Sequence, residues 1–450
     1  METEPSDDSP AAAACPRWAM LNRYSFHRPS AAAVTEATSA ASYTSIGQLF
    51  RVSFLLAAPP ACSNFYHDWA GSAGKSVHDP HQIIAADGDC LLLEVRCPDP
   101  DRRYDTRVID FFLYEAVSAA RPPSLSLLPA CFYPMEWERS GKHRRPGPNA
   151  RYMGKESTGV LRRGAGEVLV AHLEVPNVEV EESRSGQRWL VRDHAQLCVL
   201  HLHTGRLKLK WEINRKVRIV HGEQTAGNAE KLMKSWDTDA AVAVGGRFLC
   251  FVDYLRGFLL CDTAGGVAAA GLGLRYVPLP VEPPNGCPSF DGYRSGTHSC
   301  RNMAAAGATA VRFVTVESRC CCGGAGDSTC DRGRFLFTVA TWTLSLAAGG
   351  DDEPTPATWV EDGVLDCEEL WAMSGYGSLP RRPLTYPVVS CDDPDVVCFM
   401  LRNDYRFGGN REDRKVWMLE IDMRSKALLS VVLYDAEGQE EYQVPAKLQC

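Results

Sequence analysis

The amino-acid sequence predicts an all-β fold, an irregular β-propeller-like array of antiparallel meanders. Short apolar runs separated by turn residues recur along the chain, and long amphipathic helical patterns are nearly absent. These runs number about sixteen to twenty, in groups spaced roughly 60–70 residues apart. Such repetition indicates a propeller of about five to seven blades, with two β-sandwich or barrel domains split near residues 140–160 as the alternative.

The clearest meander lies between residues 241 and 262. Its three apolar runs are too short for buried helices, and they are joined by Gly245-Gly246 and by a turn that ends at Gly257. Because both faces of these runs are apolar, we expect an inner sheet that is covered on both sides.

Further strands are predicted on either side of this meander, bounded by proline, glycine, asparagine or aspartate. They cover 49–57, a hairpin at 83–95 around Asp87-Gly88, 107–114, 167–173, 197–202, 207–213, 276–280, 310–317 and 335–346. A short strand and a short helix follow within 359–371, and two hairpins are expected from 387–390 with 396–401 and from 416–422 with 427–434.

One large domain is expected. Residues 1–15 are acidic and alanine-rich, so we predict a disordered N-terminal tail. The propeller-like domain covers 16–435, and residues 436–450 are predicted to form a polar C-terminal tail. The basic, turn-rich stretch 136–166, with aromatic residues nearby, is predicted as a surface excursion or inter-blade loop that faces a protein partner.

The composition, 45% hydrophobic and 23% charged, is that of a soluble globular protein. The net charge of −8 argues against general nucleic-acid binding, which requires a basic surface. No apolar run reaches the roughly 18 residues that span a bilayer. The acidic start and the 18 scattered cysteines indicate reduced thiols in the cytoplasm or nucleus, with a plastid address as the alternative because 31–45 is rich in alanine and serine.

Two residue groups resemble binding motifs without completing them. Gly71-Ser72-Ala73-Gly74-Lys75-Ser76 lacks the first glycine of a phosphate-binding loop, because Trp69 stands there. Cys320-Cys321-Cys322, with Cys330, Cys300 and His298, offers soft ligands, but the chain contains no Cys-x-x-Cys knuckle. Neither group is therefore predicted to bind a nucleotide or a metal.

Two further groups contain side chains that bind metals or transfer protons. His201 and His203 alternate on one face of a predicted strand, after Asp193 and His194, but spacing alone places no third ligand beside them. Asp253 and Asp262 flank a strand, where carboxylates commonly accept hydrogen bonds from turn amides. We therefore predict no catalytic, cofactor-binding or metal-binding residue.

A longer set of residues around the central meander resembles a family signature. It consists of Trp236, then Phe251-Val252-Asp253-Tyr254, Arg256-Gly257, Cys261-Asp262, Tyr276-Val277-Pro278-Leu279-Pro280 and Arg301. This order resembles DUF1618, a domain family of unknown function that is expanded in grasses. The resemblance implies a plant protein with a propeller-like fold similar to F-box-associated domains, and it brings no catalytic residue. We expect the signature residues to be structural: Trp236, Asp253, Arg256, Gly257, Cys261, Asp262, Pro278 and Pro280.

The expected function is that of a non-catalytic protein–protein interaction module or adaptor, with an unidentified protein partner and no cofactor. A hydrolase or lyase that uses a central cavity of the propeller is the alternative. Charged residues with shifted pKa values converging on the axis would favour the enzyme, whereas a wall of alanine, valine and serine would argue against it.

Overall fold

The fold is almost entirely β in the part of the chain that the structure, a computed structural model, describes. That part comprises residues 16–27, 36–69, 81–98, 107–118, 121–133, 150–164, 166–175, 178–180, 189–191, 194–203, 209–222, 233, 236–264, 273–282, 297–321, 335–346, 358–403, 415–434 and 443–448. Within these ranges no helix has both the length and the apolar character needed to cross a bilayer.

The strands form six groups, here called blades 1–6. Blade 1 contains β1 (Ala19–Asn22), β2 (Phe26–His27), the 3₁₀ helix η1 (Glu36–Thr38), β3 (Ala40–Tyr43), β4 (Leu49–Leu55) and β5 (Cys62–Trp69). Blade 2 contains β6 (Gln82–Asp87), β7 (Cys90–Pro98), β8 (Arg107–Glu115) and β9 (Ser124–Leu127). Blade 3 contains β10 (Thr158–Arg163), β11 (Glu167–Glu174), a separate ribbon of β12 (Val178–Val180) and β13 (Trp189–Val191), β14 (His194–His203) and β15 (Glu212–Val220).

The second half of the chain follows the same plan. Blade 4 contains β16 (Ala240–Val244), β17 (Phe248–Asp253), β18 (Gly257–Asp262) and β19 (Gly273–Pro278). Helix α1 (Thr297–Cys300) precedes blade 5, which contains β20 (Arg301–Ala305), β21 (Ala310–Ser318), β22 (Phe337–Ser345) and β23 (Val360–Asp366). Helix α2 (Cys367–Ala372) precedes blade 6, which contains β24 (Thr385–Val389), β25 (Val396–Arg402), β26 (Val416–Asp422) and β27 (Ala427–Tyr434), and β28 (Gln443–Ala446) ends the series.

The innermost strands of the blades form a closed ring. β6 contacts β10, β10 contacts β16, β16 contacts β20, β20 contacts β24, β24 contacts β28, and β28 contacts β6. Blades 2–6 continue outward from their innermost strands as antiparallel meanders, and blade 1 includes one parallel pair, β1 with β5. This arrangement is a six-bladed propeller, and it confirms the predicted propeller-like all-β fold.

The ring closes through the two ends of the described chain. β28 pairs antiparallel with β1 from Ala19↔Ala446 to Asn22↔Gln443, and β1 pairs in parallel with β5. The C-terminal strand thus supplies the inner strand of blade 1. β28 lies within the predicted polar tail 436–450. A four-residue strand gives too short an alternation to be recognised in the sequence.

Six apolar clusters fill the spaces between the six pairs of neighbouring blades. A blade in this position is covered on both faces, so both faces must be apolar. All six residues of β17 are buried; Phe251 faces blade 3, whereas Cys250 and Val252 face blade 5. The prediction of an inner sheet for the central meander is therefore confirmed.

Blades 3 and 4 are also joined at their outer edges. β15 pairs in parallel with β19 from Arg218↔Gly273 to Val220↔Arg275, which makes one eight-stranded sheet. The outer strand predicted at 276–280 therefore begins earlier, and its first residues are paired rather than forming a free edge.

The sequence predictions omit several strands, including β3, β5 and β20, and three further differences lie in blades 2 and 3. Residues 124–127 and 158–163 are strands, although the first lies in a proline-rich segment and the second in the predicted basic excursion. The strand predicted at 207–213 is instead β15 at 212–220. The positive charges of Arg215, Lys216 and Arg218 hide the strand pattern, because an outer strand exposes one face to water.

We predict that Val444→Asp opens the ring. Val444 is 6% exposed in the core between blades 1 and 2. An unpaired carboxylate there should lower the free energy of unfolding by about 3 kcal/mol. Val360→Asp is the matched control, because Val360 is 59% exposed on an outer strand. Thermal unfolding of both variants checks the prediction, and equal melting temperatures would contradict it.

Candidate functional site

A cavity of 1300 Å³ lies on the axis of the propeller. The innermost strands of five blades line the cavity. The sixth blade, blade 3, contributes Ser157, which immediately precedes β10. The strand residues that line it are mainly alanine, valine, proline and other uncharged residues: 84–86, 240–243, 302–305, 386–389, Val444 and Pro445. The middle of the cavity wall therefore presents no acid or base, and ionisable side chains occur at its two ends.

Asp87 is the carboxylate that the innermost strands contribute to the cavity lining, at the end where these strands finish. Its Oδ2 accepts a hydrogen bond of 2.7 Å from the backbone N–H of Arg162 in blade 3. Burial raises the pKa of Asp87 to about 6, although this hydrogen bond opposes the shift. A carboxyl with this pKa exchanges protons close to neutral pH.

A polar network surrounds Glu174 at the opposite end of the cavity, where the innermost strands begin. Tyr133 donates a hydrogen bond of 2.7 Å to Glu174 Oε1, and Arg151 donates to Oε2 and, at 3.0 Å, to Gln196. Burial favours a higher pKa for Glu174, but His172, Tyr133 and the charge of Arg151 outweigh it and lower the pKa to about 2. Glu174 is therefore an ionised partner of Arg151 and a poor proton acceptor.

His172 lies next to this network and approaches two hydroxyl groups. Its Nδ1 is 2.9 Å from Thr158 Oγ1 and 3.4 Å from Ser157 Oγ, while its Nε2 is 3.8 Å from Glu174. The order hydroxyl–imidazole–carboxylate is that of nucleophilic hydrolases. However, both hydroxyls share one nitrogen, and the carboxylate is beyond hydrogen-bond distance. This geometry is an incomplete triad.

Asp253 closes the turn between β17 and β18. Its side chain is fully buried, Oδ1 accepts a hydrogen bond of 2.9 Å from Leu255 N, and Oδ2 accepts one of 2.9 Å from Arg256 Nη1 and one of 3.3 Å from Asp237 N. The backbone N–H of Arg256 also donates to the Asp253 carbonyl oxygen. Both carboxylate oxygens therefore serve the turn, as strand-end carboxylates commonly do.

Arg301 connects this turn to blade 5. It is fully buried, and its Nη1 donates a hydrogen bond of 2.7 Å to the carbonyl oxygen of Tyr254, while Nη2 donates one of 2.6 Å to that of Glu282. The backbone N–H of Tyr254 in turn donates to Asp239 Oδ2 at 2.8 Å. Arg301 thus fixes the position of the turn relative to β20.

Gly257 is required by a close approach of two strands. It lies opposite Pro278 in the β18–β19 pair. A Cβ atom at Gly257 would lie 2.4 Å from the Val277 carbonyl oxygen and 2.8 Å from the Tyr276 ring. The Tyr276 hydroxyl donates to the Arg256 carbonyl oxygen at 2.9 Å, and Trp236 packs edge-on against the same ring. The glycine therefore leaves room for the aromatic pair beside the turn.

The other signature residues occupy different positions in blade 4. Cys261 is buried in the core between blades 3 and 4, and burial raises the pKa of its thiol to about 12. Asp262 accepts hydrogen bonds of 2.9 and 2.6 Å from Arg247 at the surface. Pro280 follows β19 and is partly buried. Because Asp253 and Asp262 lie near opposite ends of β18, they do not converge as an acid/base pair.

Two further residue groups from the sequence, the one that resembles a phosphate-binding loop and the cysteine group with His298, are together only partly described by the structure. Residues 71–76, Asp193, Cys322 and Cys330 lie outside the described residues. His298 packs edge-on against Tyr254, and Cys300 Sγ lies 3.5 Å from the Thr297 carbonyl oxygen.

The described part of the basic stretch 136–166 is not a free basic surface, because its arginines pair with carboxylates: Arg151 with Glu174, Arg162 with Glu115 and Arg163 with Glu167. The prediction of a surface excursion or inter-blade loop is wrong for residues 158–163, because they form strand β10.

His201 and His203 lie close together on β14, with parallel rings whose centroids are 6.4 Å apart. Glu167 on β11 brings a carboxylate to them, and the three potential ligand atoms lie within 4.8 Å of one another. Sequence spacing did not reveal Glu167, because the pairing of β11 with β14 places it there.

Residues 251–398 match the family model described as a protein of unknown function, DUF1618. The match confirms the predicted resemblance and extends from β17 to β25, so it includes the signature residues except Trp236. No curated protein matches the chain. Among solved structures, the WD40 domain of SCAP from fission yeast is similar at 9% sequence identity and a TM-score of 0.25, over 86% of this chain and 72% of that one.

We predict that Gly257→Val destabilises the DUF1618 region. The added side chain must displace the Val277 carbonyl or the Tyr276 ring, so the free energy of unfolding should fall by about 3 kcal/mol. Gly222→Val is the matched control, because a Cβ atom at Gly222 meets no atom within 4 Å. Denaturant unfolding of both variants measures the difference, and wild-type stability of Gly257→Val would contradict the geometry.

We also predict a pH-dependent gain in stability for Asp87→Asn. The pKa of Asp87 is raised in the folded protein, so its stabilising contribution is present below about pH 4 and is lost as pH rises through 6. Asparagine stays neutral, so the variant should be equal to wild type near pH 4 and more stable by about 1 kcal/mol near pH 8.

Asp262→Asn is the control for this measurement, because its effect on stability should depend on pH in the opposite direction. Arg247 lowers the pKa of Asp262, so the native carboxylate stabilises the fold at neutral pH and loses this effect as pH falls. Urea unfolding of both variants from pH 4 to 8 provides the test. A pH-independent difference for Asp87→Asn would contradict the prediction.

Proposed function

We propose that the chain is a non-catalytic protein–protein interaction module, and that β27 binds an extended segment of its partner as an additional strand. In this mode, backbone hydrogen bonds along a sheet edge provide affinity and side-chain contacts provide specificity. The observation that carries the proposal is the composition of β27, the outermost strand of blade 6.

β27 is long, apolar and uncharged. Its sequence is Ala-Leu-Leu-Ser-Val-Val-Leu-Tyr, and Leu429 and Leu433 are 51% and 58% exposed. Within the described residues β27 pairs with β26 alone, so its other edge presents backbone donors and acceptors. An edge strand of this kind readily pairs with another chain.

The outer strands of the other blades are protected against such pairing. β3 and β9 have only four residues each. β15 carries three positive charges, and its outer edge is already paired with β19. This pairing shows that an outer edge of this fold can accept another strand. β23 carries Glu361, Asp362 and Asp366. Short length and charge are the common means of blocking edge association, and β27 has neither.

The cavity supports a binding role better than a catalytic one. The strand part of its wall is formed mainly by small and apolar residues, and the carboxylates of Asp239 and Glu174 are already held by hydrogen bonds. The alternative, a hydrolase or lyase in the central cavity, is favoured by one observation, the Ser157 hydroxyl 3.4 Å from His172. That group lacks a hydrogen-bonded carboxylate on the imidazole.

An adaptor in the cytoplasm or nucleus of a plant cell is the setting that this proposal implies, in line with the resemblance to F-box-associated domains. The net charge of −8 favours a protein partner over nucleic acid. Within the described basic segment, Arg151, Arg162 and Arg163 are paired with carboxylates, which leaves the edge of β27 as the preferred contact.

We predict that Leu429→Lys/Leu433→Lys abolishes partner binding without unfolding the protein. Both side chains are exposed, and lysine on an edge strand blocks strand addition. Val360→Lys/Val364→Lys is the matched control, because these residues are exposed on the outer strand of blade 5. Affinity purification from grass leaf tissue with tagged wild type and both variants provides the measurement.

The proposal requires a stoichiometric partner that is retained by the control and lost by the β27 variant. Hydrogen exchange of the purified complex should then show new protection of the β27 amides. Recovery of the same partner with all three proteins would exclude β27 as the binding edge. A protein that elutes alone across tissues would argue for the enzyme alternative, and a second copy of the chain on β27 would make the interaction a self-association.

A further inference from the structure

Glu167, His201 and His203 form a compact group at one end of blade 3. His201 and His203 are two residues apart on β14, so their side chains share a face of the strand. Glu167 lies directly opposite His203 in the antiparallel β11–β14 pair. The three potential ligand atoms lie within 4.8 Å of one another, close enough to contact one ion together.

The donor atoms of this group are largely unoccupied in the described part of the chain. Neither imidazole has a hydrogen bond to a described residue, and their ring contact is with each other. Glu167 Oε1 accepts a hydrogen bond of 3.2 Å from Arg163 Nη1, which leaves Oε2 for another ligand. Arg163 therefore holds the carboxylate in place, as side chains behind a metal-binding carboxylate commonly do.

The surroundings of the group suit a bound ion. All three residues are partly buried, and the next residues on the same face, Leu169 and Val199, belong to the core between blades 3 and 4. The site therefore has an apolar floor and a side that solvent can reach. Two imidazoles and one carboxylate are a ligand set that Zn²⁺ accepts, with a fourth position left for water or another ligand.

We propose that Glu167, His201 and His203 bind a divalent transition-metal ion, with Zn²⁺ as the ion that fits the ligand set, at the junction of blades 3 and 4. The ion is held by Glu167 Oε2 and by one nitrogen of each imidazole. It joins β11 to β14 through their side chains, close to Arg163, which donates to the Thr263 carbonyl oxygen in blade 4 at 3.4 Å.

Titration of the full-length protein with Zn²⁺ in a calorimeter tests this site. Cysteines are competing ligands, so the accessible thiols are first blocked with iodoacetamide. We expect one ion per chain, weaker binding on acidification because protons compete for the imidazoles, and a Co²⁺ spectrum without absorption from thiolate ligation.

Three variants identify the ligands. His201→Gln/His203→Gln and Glu167→Gln should each weaken binding by at least about tenfold. His194→Gln is the matched control, since His194 lies at the opposite end of the same strand. Circular dichroism and thermal unfolding without metal establish that each variant retains the wild-type fold.

Loss of binding in the ligand variants, with retention in His194→Gln, would establish the site. Equal Zn²⁺ binding by wild type and His201→Gln/His203→Gln would overturn it, and so would absence of binding to the thiol-blocked wild type. A loss of the same size in His194→Gln would also overturn it, because the effect would then not depend on the three ligands.

Discussion

The pairing of β28 with β1 is the constraint on which the rest of the fold depends. Every blade is apolar on both faces, so each must have a neighbour on both sides. If the ring opened at blade 1, the core that contains Phe50 and Val444 and the core that contains Met20 and Met400 would each lose part of their packing. Val444 and Ala446 of the C-terminal strand therefore complete the core between blades 1 and 2, and closure makes the stability of the blades mutually dependent.

Buried charges determine how neighbouring blades are positioned. Arg301 joins blade 5 to the Asp253 turn of blade 4, and Arg312, 5% exposed, pairs at 2.5 Å with Asp395 of blade 6. Burying such charges is costly, and an apolar contact of similar size gives equal stability. An apolar contact does not, however, specify one position along the strand direction. The hydrogen bonds of the two arginines are directional, and they explain why charged residues occur inside an otherwise apolar wall.

The sequence predicts strands that are apolar on both faces well, and short or charged strands poorly. The hairpin around Gly88 and the meander at 241–262 are readily predicted, because both faces are apolar and glycines mark the turns. β15 and β28 are missed or displaced, since one is charged on its exposed face and the other has four residues. The group of Glu167, His201 and His203 is likewise only partly predictable from the sequence. The sequence identifies His201 and His203, but the position of Glu167 beside them depends on strand pairing.

Closure of the ring also decides where binding can take place. The innermost strands of the blades form the wall of the cavity, and most of their side chains there are small and uncharged. The outer edges remain, and on five blades the outer strand is short, charged or paired with another outer strand. Blade 6 differs, because β27 is uncharged over its whole length although it is accessible at Leu429 and Leu433. An apolar, exposed edge carries a risk of aggregation, so its presence is most simply explained by a partner that covers it.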